Sequence, residues 1–201
     1  MTRVKTALIS VYVKTGIVEF AKLLHRLNVE IISSGGTAAL LKKNKIPVKQ
    51  ISSVTGSPEM LDGRVKTLHP KIHAGILAKN TKKHLAELKK HGIKQIDLVV
   101  VNLYPFMQTA ASTKNLEKII EEIDIGGVAL LRAGAKNFER VTVICQPIQY
   151  TAITQELISS NGVVSNNTRE NLAIEAFSLT AGYDSLISNF FWEKFSKGKF
   201  A

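Results

Sequence analysis

The chain has 201 residues, and its hydrophobic fraction of 45% suits one globular domain with a sizeable core. No apolar stretch is long enough to span a membrane, no signal-peptide pattern occurs, and the single cysteine, Cys145, excludes an internal disulfide, so we predict a cytoplasmic protein. The net charge of +11 favours anionic partners, but the lysines are spread over predicted helices without arginine-rich or aromatic blocks, which disfavours nucleic acid.

Strands and helices alternate through the first part of the chain. Apolar and β-branched runs predict strands, and apolar residues recurring at three and four positions predict helices. These are strands over residues 4–10 and 29–32, helices over 14–27 and 38–43, and a short extended piece at 47–48. Such alternation is typical of a parallel sheet with helices on its faces.

The same alternation continues after a loop-like stretch at residues 57–67. The strongest strand covers 97–102, and its unbroken apolar run is typical of a strand covered on both faces. The other predicted elements are a strand at 141–145 and helices at 69–78, 81–91, 116–122, 126–137, 150–159 and 168–189. We therefore predict a three-layer α/β fold with a mostly parallel sheet, comprising a core at 1–150 and a helical C-terminal section of the same domain at 151–201.

Glycine-rich or polar segments follow several of the predicted strands. Because ligands bind at the carboxyl ends of parallel strands, we expect residues 10–14, 34–37, 102–104 and 124–127 to lie near one another. The segment at 34–37, Ser-Gly-Gly-Thr, is a candidate phosphate cradle, since its amides and hydroxyls face an anion at a helix N-terminus. Lys14 would add a positive charge, although a glycine pair also serves a simple tight turn.

Cations and histidines follow in the next loop. Arg64 and Lys66 would point the same way if the loop is extended, and the alternative is that they are ordinary surface cations. His69 and His73 have the spacing of two metal ligands on one helix face, but no HExxH pattern accompanies them. We therefore predict no metal site.

Three further side chains have the chemistry for proton transfer. Tyr104 follows the strongest strand, and Asp124 and Lys136 lie at opposite ends of the helix that begins near Gly126. A phenol, a carboxylate and an amine can together orient, deprotonate and reprotonate an amide nucleophile. Each also has a structural alternative, since Asp124 can cap a helix and Tyr104 can be a partly buried anchor.

Several long motifs together are more specific than any single residue. The motifs are KTGIVEFAKLL from Lys14, EIISSGGTAALL from Glu30, GSPEMLDGRVKTLHPKIHAGIL from Gly56, VNLYPF from Val101 and EEIDIGGVALLRAGAKNFERVTVI from Glu121. In order and spacing the chain resembles the IMP cyclohydrolase domain found at the N-terminus of the bifunctional AICAR transformylase/IMP cyclohydrolase family. The resemblance implies a methylglyoxal-synthase-like fold and the closure of the second purine ring to form IMP, without metal or other cofactor and without transformylase activity.

The resemblance also assigns roles to residues. It implies a catalytic group of Lys66, Tyr104, Asp124 and Lys136, with Lys136 as proton donor and acceptor. The substrate-binding residues that we predict are Ser10, Lys14, Ser34, Gly35, Gly36, Thr37, Arg64, Thr67, Asn102, Ile125 and Gly126. A homodimer and a separate transformylase protein are the protein partners that the resemblance brings into consideration, beside the purine nucleotide itself.

One departure from the family bears on function. The family usually has Ser-Asp-Lys where this chain has Tyr12-Val13-Lys14. The main alternative is therefore a non-catalytic nucleotide-sensing domain of the same fold, which would not need all four catalytic side chains. Methylglyoxal synthase is a further alternative, but it leaves the RVKTLHPKIH segment, from Arg64, unexplained.

Overall fold

A five-stranded parallel sheet forms the centre of the protein. The computed structural model describes residues 3–196. The strands are β1 (Thr6–Val11), β2 (Glu30–Ser33), β3 (Lys49–Gln50), β4 (Leu98–Asn102) and β5 (Thr142–Ile144), in the order β3-β2-β1-β4-β5. All four strand pairings are parallel, and every residue of β4 is buried, as its unbroken apolar run predicts.

Helices cover both faces of this sheet. They are α1 (Ile17–Arg26), α2 (Gly35–Lys43), α3 (Ile51–Thr55), α4 (Pro70–Leu77), α5 (Lys82–Lys90), α6 (Phe106–Ser112), α7 (Leu116–Glu121), α8 (Ile125–Lys136), α9 (Gln149–Ser159) and α10 (Asn166–Phe195). A 3-10 turn spans Leu61–Gly63. α1 packs against β2, α2 and α9, whereas α8 packs against β4, β5, α4 and α10. The predicted three-layer α/β class is therefore confirmed.

The order of the strands creates a crevice beside β1. The chain moves outward from β1 to β2 and β3, then crosses back to β4 and continues to β5. Right-handed crossovers running in opposite directions place their helices on opposite faces. The carboxyl ends of β1 and β4 border the point of reversal, which is where ligands bind in open sheets of this kind.

Two apolar clusters hold the layers together. The larger cluster lies between the sheet and its helices, and the smaller one joins Phe106, Ile119 and Tyr183 beside α6, α7 and α10. Asp97 and Arg140, which lie just before β4 and β5, form a buried ion pair at 2.9 Å. The C-terminal helices are tied to the start of the chain by a 2.8 Å hydrogen bond from the Val4 amide to the Gly162 carbonyl.

Most predicted elements occur within a few residues of their expected bounds. Two short helices were not expected: α3, which directly follows β3, and α6, which lies in the segment after Tyr104. Both are too short to show apolar periodicity, since α3 has five residues and α6 seven. The extended piece predicted at 47–48 is displaced to β3, and the last helix continues to Phe195.

Candidate active site

An open cleft lies at the carboxyl ends of β1 and β4. Its volume is about 650 Å³, which is within the usual range for small-molecule sites. The structure brings together in this cleft most of the predicted site residues, namely Ser10, Lys14, Ser34, Gly36, Thr37, Arg64, Lys66, Thr67, Asn102, Tyr104, Asp124, Ile125 and Gly126. Gly35 instead lines a neighbouring cavity of about 200 Å³, which shares Ser34 and Lys66 with the cleft.

The candidate phosphate cradle is the N-terminus of α2. Ser34 is its cap residue but makes no side-chain capping bond, and its buried hydroxyl has no hydrogen-bond partner among the described residues. The first amides of a helix have no partner within it, so those of Gly35 and Gly36 are available to an anion. Thr37 differs from the prediction, because its hydroxyl donates to the Val11 carbonyl at 3.0 Å and is committed to β1.

Two ammonium groups stand beside this loop. The Nζ of Lys66 lies 3.3 Å from the position that a Cβ on Gly35 would occupy, and Gly35 has a φ of +53°. Lys14 donates to the carbonyls of Val11 and Tyr12. Burial, and then the charge of Lys66, lower the pKa of Lys14. A dianionic phosphate would relieve this repulsion, so the pair favours an anionic ligand.

Asn102 joins the two strands at the crevice. Its Oδ1 accepts from the amides of Tyr12 and Val13 at 2.7 and 2.8 Å, and its Nδ2 donates to the Val13 carbonyl at 3.1 Å. The side chain predicted to bind substrate is thus used to shape the loop after β1. Because this clamp contacts only the backbone, it is independent of the unusual side chains at these two positions.

Asp124 is both a helix cap and a cleft residue. Its Oδ1 accepts from the Gly127 amide at 2.6 Å at the start of α8. Burial raises the pKa of Asp124, while hydrogen bonds from the Gly127 and Tyr104 amides and the charge of Lys66 oppose that rise. A carboxyl group with a raised pKa is suited to accepting and releasing protons.

The two glycines after Asp124 are required by close packing. A Cβ on Gly126 would overlap the hydroxyl of Thr67, and one on Gly127 would lie 2.8 Å from the carboxylate carbon of Asp124. Both glycines therefore bring the helix terminus against its neighbours in the cleft.

Tyr104 and Tyr12 form an aromatic pair at the mouth of the cleft. Their ring centroids are 5.5 Å apart in an edge-to-face arrangement, and the side chains are 39% and 46% exposed. Burial raises the pKa of Tyr104, followed by the negative charges of Asp124, Glu122 and Glu121, so its hydroxyl stays protonated as a proton donor. Tyr12 thus places an aromatic ring against a candidate catalytic residue.

Two glutamates in the cleft were not predicted. Arg64 pairs with Glu121 through both its Nε, at 3.1 Å, and one terminal nitrogen, so this predicted substrate-binding cation already has a partner. The Oε2 of Glu122 is buried without a hydrogen-bond partner among the described residues. Their position next to Asp124 in the EEID motif was the only signal available in the sequence.

Lys136 is the predicted catalytic residue that the structure does not bring to the cleft. It is exposed at the last position of α8, whereas Asp124 caps the first turn. Because α8 has 12 residues, its two ends lie roughly 18 Å apart. The expectation that this amine reaches the reacting atoms is therefore not met within one chain.

The histidines and the cysteine have structural surroundings. His69 caps α4 by accepting from the Lys71 amide at 3.1 Å. Burial lowers the pKa of His73. Cys145 is buried, and that burial raises the pKa of its thiol to about 11. Across residues 3–196, no helix is long and apolar enough to cross a membrane.

Comparisons with known proteins agree with this architecture. A family model described as "MGS-like domain" matches residues 16–129, and one described as "AICARFT/IMPCHase bienzyme" matches residues 134–201. A crystal structure of ForH superposes with a TM-score of 0.83 at 33% identity, covering 94% of this chain and 99% of that one.

The curated relatives are longer proteins. The bifunctional purine biosynthesis protein PurH of Neisseria meningitidis is 53% identical over 192 residues, which cover 94% of this chain and 36% of that protein. PurH of Elusimicrobium minutum is 50% identical over 199 residues, covering 98% of this chain and 38% of that protein. The chain thus spans little more than a third of the length of these relatives. It belongs to the family of MGS-like domains, and it is similar to the IMP cyclohydrolase portion of the bifunctional purine biosynthesis proteins.

Proposed function

We propose that this protein is an IMP cyclohydrolase, which closes the second purine ring of 5-formamidoimidazole-4-carboxamide ribonucleotide with loss of water. The observation that carries the proposal is the position of Lys66 between two halves of one cleft. Its Nζ lies beside Gly35 of the candidate phosphate loop, and its charge acts on both Lys14 and Asp124. An anion-binding end and a proton-transfer end therefore share one cavity.

Substrate positioning supplies much of the expected rate. The ribose phosphate would occupy the amides of Gly35 and Gly36, with Lys14 and Ser34 beside them. Anchoring the phosphate there directs the base toward Lys66, Tyr104 and Asp124. Both reacting groups belong to one molecule, so holding them in an attack geometry removes most of the entropic barrier.

The chemistry needs two proton losses and one departing water. The carboxamide nitrogen attacks the formyl carbon and loses a proton, while the formyl oxygen gains one and becomes a hydroxyl. That hydroxyl then leaves as water as the former formamide nitrogen loses its proton, which leaves the new ring double bond. Asp124, with its raised pKa, accepts protons, the protonated Tyr104 donates, and the Lys66 ammonium stabilises charge on the oxygen.

The proposal covers ring closure alone. The purine biosynthesis relatives have nearly two thirds of their length without a counterpart in these 201 residues. A homodimer, a separate transformylase and a cytoplasmic location remain part of the proposal, and light scattering of the purified chain tests the first.

A comparison of variants tests the assignment. Ring closure is followed by the ultraviolet absorbance of IMP, and IMP affinity is measured separately by calorimetry. Lys66→Ala and Asp124→Asn should each lower kcat by about a hundredfold or more. Lys90→Ala removes an exposed lysine at the end of α5 and should leave kcat unchanged.

The same measurements distinguish ring closure from nucleotide sensing without catalysis. If the wild-type protein binds IMP saturably but turns over no substrate, it is a nucleotide-sensing domain, and the catalytic roles given to Lys66 and Asp124 are wrong.

A further inference from the structure

The 122–124 loop, which joins α7 to α8, is held by a side chain from the distant C-terminal helix. We propose that Tyr183 of α10 is a positioning residue for the candidate catalytic carboxylate, acting through its hydroxyl on this loop. The proposal rests on the function proposed above, in which Asp124 touches the substrate. Tyr183 itself does not line the cleft.

Two hydrogen bonds define the arrangement. The Asp124 amide donates to the Tyr183 hydroxyl at 2.9 Å, and that hydroxyl donates to the Glu122 carbonyl at 2.9 Å. One oxygen therefore joins the carbonyl end of α7 to the amide that begins α8. Since the Asp124 carboxylate is fixed on its other side by the Gly127 amide, the hydroxyl and the cap together set its direction.

The ring that carries this hydroxyl is itself immobilised. Tyr183 packs edge-to-face on Phe106 at 6.4 Å, and Phe106 packs edge-to-face on Phe190 at 5.4 Å. The Phe106 amide also donates to the Tyr104 carbonyl at 2.9 Å. The smaller apolar cluster thus supports both proton-transfer residues, Tyr104 through the chain next to it and Asp124 through the Tyr183 hydroxyl.

The Tyr183 hydroxyl can accept one hydrogen bond and donate another at the same time. Burial raises the pKa of Tyr183 to about 12, so the proton needed for donation to Glu122 is retained. Tyr183 as a whole is only 9% exposed, so water has little access to replace a lost hydroxyl. Removing that oxygen would leave the Asp124 amide without its acceptor and free the loop to shift.

Tyr183→Phe tests the proposal because it keeps the ring and deletes the oxygen. We expect kcat for ring closure to fall about tenfold or more while KM stays within about twofold, since misplacement of a reacting group by less than 1 Å has effects of this size. Hydrogen exchange of the Asp124 amide, followed by NMR, should accelerate about tenfold or more in the variant. Because a partly unfolded variant would also show a lower apparent kcat at constant KM, kcat is expressed per IMP-binding site, counted by calorimetry.

Two controls separate positioning from stability. Tyr150→Phe makes the same change in a buried tyrosine that stacks on Phe20 at 5.0 Å, and it should leave kcat unchanged. Phe190→Leu loosens the cluster but keeps the hydroxyl, so it should lower the melting temperature and reduce kcat much less than Tyr183→Phe does. If kcat follows the melting temperature across all three variants, Tyr183 is merely structural and the proposal is overturned.

The wild-type protein provides a test that does not depend on any variant. The Asp124 amide should be protected from exchange, and an unprotected amide would overturn the proposal even if Tyr183→Phe failed to fold. A wild-type protein that closes no ring would refute the proposed function instead. In that case amide exchange still decides whether the hydroxyl of Tyr183 holds the loop.

Discussion

Replacing Gly127 with alanine should damage catalysis while leaving the fold intact. A Cβ at this position would lie 2.8 Å from the carboxylate carbon and 2.9 Å from Oδ1 of Asp124, which is closer than real Cβ contacts allow. The helix is held in place, because Gly127 is buried and α8 packs against β4, β5, α4 and α10. The carboxylate must therefore swing out of its present position and give up its bond to the Gly127 amide.

Two opposing terms set the stability of this variant. Losing the cap should cost about 1 kcal/mol, and replacing glycine by alanine inside a helix should gain about 1 kcal/mol. The net free energy of unfolding should therefore stay within about 1 kcal/mol of wild type, or about 4 °C in melting temperature. Moving the carboxylate by about 1 Å should lower kcat about a hundredfold, equivalent to about 2.7 kcal/mol of activation free energy.

Stopped-flow ring closure and thermal melting measure the two effects separately. Gly182→Ala is the matched control, because a Cβ there meets no atom within 4 Å. That variant should be about as stable as wild type or slightly more so, with unchanged kcat. A Gly127→Ala protein with wild-type kcat would refute the reasoning, since it would mean that the direction of the Asp124 carboxylate does not matter.

Three further predictions follow from individual contacts. Burial raises the pKa of Asp124 above the value of 3.8 that applies to the unfolded chain. The free energy of unfolding of wild type therefore falls as pH rises from 3.8 through the higher pKa of the folded state. At about pH 7 the midpoint denaturant concentration of Asp124→Asn should therefore be higher than that of wild type. At about pH 3 the two midpoint concentrations should be equal. Asp97→Asn breaks the buried pair with Arg140 and should lower the free energy of unfolding by about 3 kcal/mol in urea titration. Tyr12→Ser removes the ring contact with Tyr104 and should lower the free energy of unfolding by about 1 kcal/mol. If kcat/KM of this variant stays within twofold of wild type, the contact has no catalytic role.

Much of the fold was predictable from the sequence because it depends on local patterns. The unbroken run at β4 indicated a strand buried on both faces, and alternating strands and helices indicated parallel pairing. The ends of short elements were not predictable, since α6 depends on Phe106 packing against α10, which lies far along the chain. Strand order likewise depends on which helix covers which face.

The candidate site was predictable as a set of segments but not as a set of side-chain contacts. Loops after parallel strands had to meet at one edge, so Lys14, Ser34 and Asp124 were expected together. The hydrogen bonds of Asn102 to the loop after β1 and of Thr37 to Val11 of β1 could not be foreseen, because a polar side chain beside a cleft can face either ligand or backbone. The role of Tyr183 had no local signal, since it depends on contact between residues 59 positions apart.

Ring closure by the purified 201-residue chain tests the central claim most directly. The formylated carboxamide ribonucleotide is mixed with catalytic amounts of protein, without folate or metal, and IMP is followed by its ultraviolet absorbance. The account predicts many turnovers per chain, at a rate far above spontaneous closure. Saturable IMP binding with no product above the spontaneous rate would contradict it and identify the cleft as a nucleotide sensor.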